Sequence, residues 1–376
     1  MIIGVPKEIK NHEYRVALTP TAAYELVLNG HQVLVQSEAG DGVGFSDQDY
    51  KDAGANIVLS AREVFQDASL ILKVKEPQAV ERALLTPRHT LFTYLHLAPD
   101  SPQTEDLLAS GATCIAYEMV TDHNNRLPLL APMSEVAGRM SIQAGAHCLE
   151  KAQQGRGVLL GGVPGVDPAT VVIIGAGVVG GNATQMAIGM GAKVVVLDKS
   201  IDALRRLDER YGNRIQTVFS TAAALEYWAT QADMVVGAVL IPGAEAPKLI
   251  NMDLLRKMKR GSVLVDVAID QGGCFETSKA TTHAEPTYMV EGVVHYCVAN
   301  MPGAVARTST LALTNATLPY VLQLANLGTK TALETNAGLL SGLSVTHGAL
   351  TCPAVGLAQN LDSCTPEEAL MKHFSG

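Results

Sequence analysis

The stretch Val171 to Lys199, VVIIGAGVVGGNATQMAIGMGAKVVVLDK, constrains the fold more than any other part of this chain. The β-branched run Val171 to Ile174 reads as a buried strand. Gly175-Ala-Gly177-Val-Val-Gly180 follows at once, then a helix-compatible segment, then a second β-branched strand, Val194 to Val196, closed by Asp198. A bare G-x-G-x-x-G says little. Strand before, helix after and an acid 23 positions beyond Gly175 make it a dinucleotide fingerprint. Gly175 permits the tight turn, Gly177 lets backbone approach a pyrophosphate, and Gly180 lets helix and strand pack closely. The helix start, Val178 and Val179, turns unpaired N–H groups and a positive dipole end toward phosphates. Asp198 would accept from ribose hydroxyls and repel a 2′-phosphate, which favours NAD over NADP; Lys199 softens that preference without reversing it.

Composition narrows the classes further. A chain of 376 residues has room for two or three domains, and 47% hydrophobic with 17% charged residues describes a core-forming globular protein. The net charge of −9 and the lack of a basic stripe argue against nucleic-acid and membrane-surface partners. Six scattered cysteines, with neither C-x-x-C nor metal-ligand spacing, read as small buried thiols in a reducing cytosol. The start, MIIGVPKEIK, is a short apolar strand running into charge and lacks the signal-peptide pattern. Two uncharged stretches, 168–192 and 308–329, are interrupted by glycines, or by Asn315, Pro319, Gln323 and Asn326, so neither reads as a membrane span.

Strand and helix signals alternate along the first 120 residues, as in a mostly parallel sheet covered by helices. Strands are expected at 1–6, 31–36, 56–59, 69–75, 90–96 and 112–117. Thr19-Pro20, Ser60 and Ser101-Pro102 start the helices between them. The proline-bracketed segment Leu127 to Pro132 separates this unit from a helix over 136–151. Further strands are expected at 215–219, 234–239, 263–269 and 295–298, then a long helix over 311–327 and a mobile-looking tail to Gly376. Gly40-Asp-Gly42-Val-Gly44 lacks the fingerprint spacing. The expected fold is α/β, with two doubly wound Rossmann-like domains facing each other across a cleft and linked by long helices. Residues 1–128 and 307–376 would form the substrate domain, and 129–306 the NAD-binding domain.

In such sheets ligands lie beyond the carboxyl ends of the strands. That rule selects Lys75, His96 with Tyr94 two residues before it, Glu118, Asp270 and Asn300, while Arg15 sits in the loop after the first strand. A guanidinium, an ammonium, an imidazole and a carboxylate suit a small substrate bearing a carboxylate and a carbonyl or amine. Each has a plain alternative: Lys73 and Lys75 as solvated strand-end charges, His96 as a structural histidine, Met133 and Met301 as gap fillers. Asp266 and Asp270 compete, with Asp266 deeper in its strand.

The motifs Met1 to Lys10 with Arg15-Val-Ala-Leu-Thr-Pro20, Lys73-Val-Lys-Glu-Pro77, Thr93 to Leu97, Ala131 to Arg139, Gly161 to Gly165, Gly175-Ala-Gly177 and Asp266 to Gly273 resemble the alanine dehydrogenase family. The resemblance implies reversible NAD-dependent oxidative deamination of L-alanine to pyruvate and ammonium. It places Arg15 on the substrate carboxylate and Lys75 at the carbonyl or amine end, with Tyr94, Met133 and Asn300 beside them. His96 would be the general acid/base, and Asp270 would activate water. NAD would contact Ser134, Val178, Asp198, Ser220, Val239, Leu240, Val267 to Ile269 (Ala268 included) and Val298-Ala299-Asn300-Met301. The cysteine usage leads to a cytoplasmic location being expected, and the resemblance further implies a homohexamer. It implies no metal, since Gln323 and Leu327 stand where some relatives carry an acid and a histidine. Ala203 stands where the family carries a basic residue near the adenosine ribose; Lys199, Arg205 and Lys279 are the available cations. His96 must be neutral to accept a proton, so oxidation should favour alkaline pH. The rival reading is the NAD-binding subunit of a proton-translocating transhydrogenase, a component of a membrane pump.

Overall fold

The computed structural model describes residues 1–239 and 246–374. The chain divides into two compact units, Met1–Met133 with the segment from Val305 onward, and Ser134–Ala304. The first unit carries six parallel strands: β1 (Ile2–Val5), β2 (Gln32–Gln36), β3 (Asn56–Val58), β4 (Leu70–Leu72), β5 (Thr90–Thr93) and β6 (Thr113–Ala116). The second carries β7 (Thr170–Ile174), β8 (Lys193–Asp198), β9 (Ile215–Phe219), β10 (Met234–Gly237), β11 (Val263–Asp266), β12 (Thr287–Val290) and β13 (Val293–Tyr296). The tail returns to the first unit with β14 (Leu343–Thr346) and β15 (Ala349–Leu350).

Both sheets are wound alike. The first runs β15-β14-β6-β5-β4-β1-β2-β3 and the second β12-β13-β11-β10-β7-β8-β9. In each, the first strand of the unit sits between its second strand and its fourth. That is the order 3-2-1-4-5-6 of doubly wound nucleotide-binding sheets, with antiparallel strands added at one edge. Strand order reverses between β1 and β4 in one sheet and between β7 and β10 in the other, which marks the carboxyl ends of those pairs as ligand positions. Apolar residues of the strands, and of the helices and loops packed on them, build the cores. Val64, Phe65, Ile71, Leu91, Leu107 and Val345 pack in the first unit, and Val172, Val195, Val235, Leu264 and Phe275 in the second.

Helix starts follow local chemistry. Thr19 caps Pro20–Leu28 through Ala22 N–H, and Ser60 caps Ala61–Asp67 through Glu63 N–H. The helix Ser101–Ser110 is capped by Asp100, one residue before the expected Ser101-Pro102 start, because the Asp100 carboxylate reaches Gln103 N–H. The helix expected over 136–151 is instead Ala131–Cys148, with Pro132 in its first turn where a missing N–H costs nothing.

Three strands were not anticipated. Glu291 and Gly292 both take positive φ between β12 and β13, and so do His347 and Gly348 between β14 and β15. Two-residue turns with both central φ positive match the twist of a hairpin. Glu and His stand where Asn or Asp would have advertised such turns. The tail expected to be mobile therefore supplies β14, which pairs with β6, and further helices at Pro353–Gln359 and Pro366–Phe374. The long helix runs Ala306–Thr335, interrupted at Gly328, whose φ is +77°. Among the described residues no helix is long and apolar enough to cross a membrane.

Candidate active site

In the first unit the expected substrate residues gather beyond the carboxyl ends of β1, β4 and β5. Arg15 is 2% exposed and lies in a two-pronged pair with Glu13: Nε donates to Oε1 at 2.6 Å and Nη2 to Oε2 at 2.5 Å. Its Nη1 donates to Met133 Sδ at 3.1 Å, which brings those two expected residues together. Burial alone would lower the guanidinium pKa, but the hydrogen bonds and charge of Glu13 carry it upward, so Arg15 is a fixed cation.

The two lysines after β4 separate cleanly. Lys73 is fully buried between Glu8 Oε2 at 3.0 Å and Glu81 Oε1 at 2.7 Å, a structural ion cluster. Burial would lower its pKa, and the two carboxylates more than reverse that. Lys75 is partly exposed, with Nζ 3.9 Å from Glu76 Oε2, and its backbone carbonyl accepts from Thr93 Oγ1 at 3.0 Å. The competition between Lys73 and Lys75 is thus decided by burial, and Lys75 is the ammonium a ligand can reach.

His96 is 43% exposed and follows β5 in the left-handed region, φ +48°. Its ring stacks on Tyr94, centroids 5.8 Å apart and planes 9° from parallel. Tyr94 is buried, its hydroxyl donates to Leu129 O at 2.5 Å, and burial holds that hydroxyl's pKa well up. Tyr94 therefore meets the site through its ring, as a floor under the imidazole.

In the second unit the described residues expected to contact the dinucleotide all sit at or beyond the carboxyl ends of parallel strands, except the helix residue Ser134. Gly175 to Gly180 follow β7, Asp198 ends β8, Ser220 follows β9 and Val239 follows β10. Val267 to Ile269 follow β11, and Val298 to Met301 follow β13. Leu240 lies outside the described residues. The glycines do what their spacing requires. Gly175 has φ +107°, and a Cβ there would stand 2.5 Å from Ala238 O. A Cβ on Gly180 would collide with the Gly175 carbonyl oxygen, whereas one on Gly177 meets nothing within 4 Å. Gly177 thus opens onto space at the start of the helix Val178–Gly189, as a pyrophosphate would need. Asp198 accepts from Ala176 N–H and Ser200 N–H, both at 2.6 Å, which fixes its carboxylate beside that turn.

Asp266 and Asp270 also separate. The Asp266 carboxylate is buried and accepts from Ala268 N–H at 3.1 Å, from Cys274 N–H at 2.7 Å and from the Ser278 hydroxyl. Burial raises its pKa against those donors, and its work is to close the loop that carries Asp270. Asp270 itself is exposed, in the turn Ile269–Gln271. Asn300 adopts φ +64°, and its carbonyl accepts from His283 Nε2 at 3.1 Å.

Sequence reasoning missed the carboxylates that organise the first unit. Glu8 and Glu13 are two of several charges in the loop after the first strand, and nothing local marks Glu81. Glu118 reads in the sequence as a strand-end acid, with no task that local pattern assigns. Its Oε1 accepts from His96 N–H at 2.7 Å and Leu95 N–H at 3.1 Å.

Two family descriptions cover nearly the whole chain: "Alanine dehydrogenase/PNT, N-terminal domain" matches residues 4–137, and the corresponding C-terminal domain matches 141–353. The chain belongs to the alanine dehydrogenase/PNT family. Among the relatives, the alanine dehydrogenase of Halomonas elongata is 64% identical, over 96% of this chain and 98% of its own. A solved L-alanine dehydrogenase superposes with a TM-score of 0.93 at 52% identity, covering 96% of this chain and 99% of that one. A transhydrogenase from Sinorhizobium meliloti reaches a TM-score of 0.82 at 24% identity, over 93% and 100% of the two chains, a likeness of fold alone. In the alanine dehydrogenase/PNT frame, Arg15, Lys75, His96 and Met133 fall within the N-terminal match and Gly175 to Met301 within the C-terminal one.

Proposed function

We propose that this protein catalyses the reversible NAD-dependent oxidative deamination of L-alanine to pyruvate and ammonium. The observation that carries the reading is the grouping of a pre-oriented guanidinium, a reachable ammonium and an exposed imidazole beyond β1, β4 and β5. Arg15, its plane set by Glu13, binds the substrate carboxylate with the geometry a guanidinium provides. Lys75 takes the carbonyl oxygen of pyruvate or lies beside the amine of alanine, as a compact cation suited to polarising a carbonyl. His96, neutral, accepts a proton from the substrate amine or the adding water during oxidation and returns it in the reverse direction. Asp270 orients the water that adds to the iminium carbon and steers collapse of the carbinolamine to pyruvate and ammonium.

The second unit fits NAD: an open Gly177 at a helix start, a carboxylate at Asp198, Ser134 on the helix Ala131–Cys148, and strand ends that present Ser220, Val239, Val267 and Val298 to Met301. NAD, when bound, supplies the redox chemistry by accepting a hydride from the alanine Cα. The same reading assigns Tyr94, Met133 and Asn300 to the substrate's surroundings and makes the working form a cytoplasmic homohexamer.

Purified protein mixed with NAD and L-alanine at alkaline pH, followed at the NADH absorbance, tests the proposal. Alanine-dependent NADH formation, absent with D-alanine or with NADP, is the expected result. Tight NADH binding without turnover would replace the reading with that of a transhydrogenase-type subunit.

A further inference from the structure

The backbone around His96 is held more tightly than its neighbours in the chain require. Three side chains from three separate elements grip residues 95 to 98. Gln103, from the helix Ser101–Ser110, donates to Leu95 O at 2.7 Å. Gln359, from the helix Pro353–Gln359, donates to Leu97 O at 2.6 Å and Ala98 O at 3.3 Å. Glu118, in the turn Tyr117–Met119 after β6, accepts from Leu95 N–H and His96 N–H through Oε1, at 3.1 and 2.7 Å, with Oε2 a longer second acceptor for Leu95 N–H at 3.3 Å.

A left-handed backbone is unfavourable for a residue with a Cβ and persists only where its surroundings over-determine it. At His96 that backbone turns the imidazole out of the strand direction and lays it on Tyr94. Of the three gripping side chains, only Glu118 bonds the residue itself. Its Oε1 also lies 4.0 Å from His96 Nδ1, beyond a hydrogen bond but close enough to face the ring. The amides at 95 and 96, both aimed at one carboxylate oxygen, form a small anion nest whose occupant is part of the protein.

We infer that Glu118 is the positioning residue for the acid/base His96: its oxygen, by accepting both amides, holds His96 left-handed and so sets where the imidazole stands. The inference rests on the reading of His96 given above. It makes the acceptor oxygen, rather than the negative charge, the property that matters. Gln at 118 keeps an oxygen at the same reach. Asp keeps the charge but draws the oxygen back by one methylene.

Alanine oxidation by Glu118→Gln, Glu118→Asp, His96→Ala and the double variant Glu118→Asp/His96→Ala tests this, with alanine KM and NADH affinity measured for each. We expect kcat of Glu118→Gln within about threefold of the native enzyme. Glu118→Asp should fall roughly 10- to 100-fold, with alanine KM and NADH affinity little changed, as a misplaced catalytic group costs. On the His96→Ala background the Asp substitution should cost nothing more, since the group it positions is gone. Native turnover in Glu118→Asp, a Gln variant poorer than the Asp variant, or equal losses with and without His96 would each overturn the inference. Native turnover in His96→Ala would instead overturn the acid/base reading, which keeps the two failures apart.

Discussion

Glu13 and Arg15, two residues apart in one loop, form a buried two-pronged ion pair with side chains 0% and 2% exposed. The pair spans Nε–Oε1 at 2.6 Å and Nη2–Oε2 at 2.5 Å, and Glu13 Oε1 also accepts Arg15's own backbone N–H at 3.1 Å. A guanidinium fixed in this way costs little further ordering when it meets a carboxylate. Removing the acid leaves a buried cation without its main counter-charge. Glu13→Ala should therefore lose about 3–5 kcal/mol of stability in denaturant unfolding, the usual cost of breaking a buried pair. In the folded fraction alanine KM should rise. Unfolding identical to the native protein would show that the pair is not the anchor described.

His96 and Asp270 should be separable from cofactor binding. His96→Ala is expected to reduce kcat by about 10²- to 10⁴-fold, the range of a lost acid/base group, and Asp270→Asn should also impair turnover. NADH affinity, read by fluorescence, should stay near native in His96→Ala, because His96 belongs to the unit that lacks the dinucleotide fingerprint.

The fingerprint glycines should divide by the space around them. Gly180→Ala forces a methyl onto the Gly175 carbonyl, so its thermal midpoint should drop by several degrees. Gly177→Ala meets no protein atom within 4 Å and should melt like the native chain. It should nonetheless bind NADH at least about tenfold more weakly, because the methyl occupies the pyrophosphate approach. Melting curves and NADH titrations of both variants check the pair.

In the proposed function Asp198 carries the choice between NAD and NADP. Asp198→Ala frees Ala176 and Ser200 N–H and would remove the proposed acceptor for ribose hydroxyls and the repulsion of a 2′-phosphate. The ratio of kcat/KM for NADP to that for NAD should rise by roughly tenfold or more, consistent with about 1.5–3 kcal/mol for a charged hydrogen bond. An unchanged ratio would move cofactor selection elsewhere in the second unit.

Acid should destabilise the fold through its buried histidines. His295 is buried, its Nδ1 donates to Val293 O and its Nε2 bonds to the Thr277 hydroxyl, and burial lowers its pKa; His89 is lowered by burial likewise. Both folded-state values lie below the unfolded value near 6.5, so the unfolded chain binds more protons as pH falls through that value. Stability is then fully present above the unfolded value and declines below it, by at most about 1.4 kcal/mol per pH unit for each histidine. Thermal midpoints measured from pH 8 to pH 5 should show this fall, and His295→Asn should flatten it.

The dinucleotide turn was legible because every part of it is local: strand, three spaced glycines, helix and acid lie within 29 consecutive residues. Helix caps at Thr19 and Ser60 were legible for the same reason. The family motifs carried Arg15, Lys75, His96 and Asp270. They did not say why Lys75 rather than Lys73 stays within reach of a ligand, or why Asp270 rather than Asp266 is exposed. Burial decided both, because Glu8 and Glu81 close around Lys73, while Ala268, Cys274 and Ser278 close around Asp266.

The sequence by itself determined that each half is α/β, where the dinucleotide fingerprint lies and which cationic groups cap the strands. Those features depend on residues adjacent in the chain. The tertiary structure alone decided strand order and the duties of the acids. Glu8 accepts the amide of Val74, 66 residues on, and Glu118 accepts that of His96, 22 residues before it. Such partners meet only when β1, β4, β5 and β6 lie side by side, and strand neighbourhood is a property of the assembled sheet, which no local pattern of residues encodes.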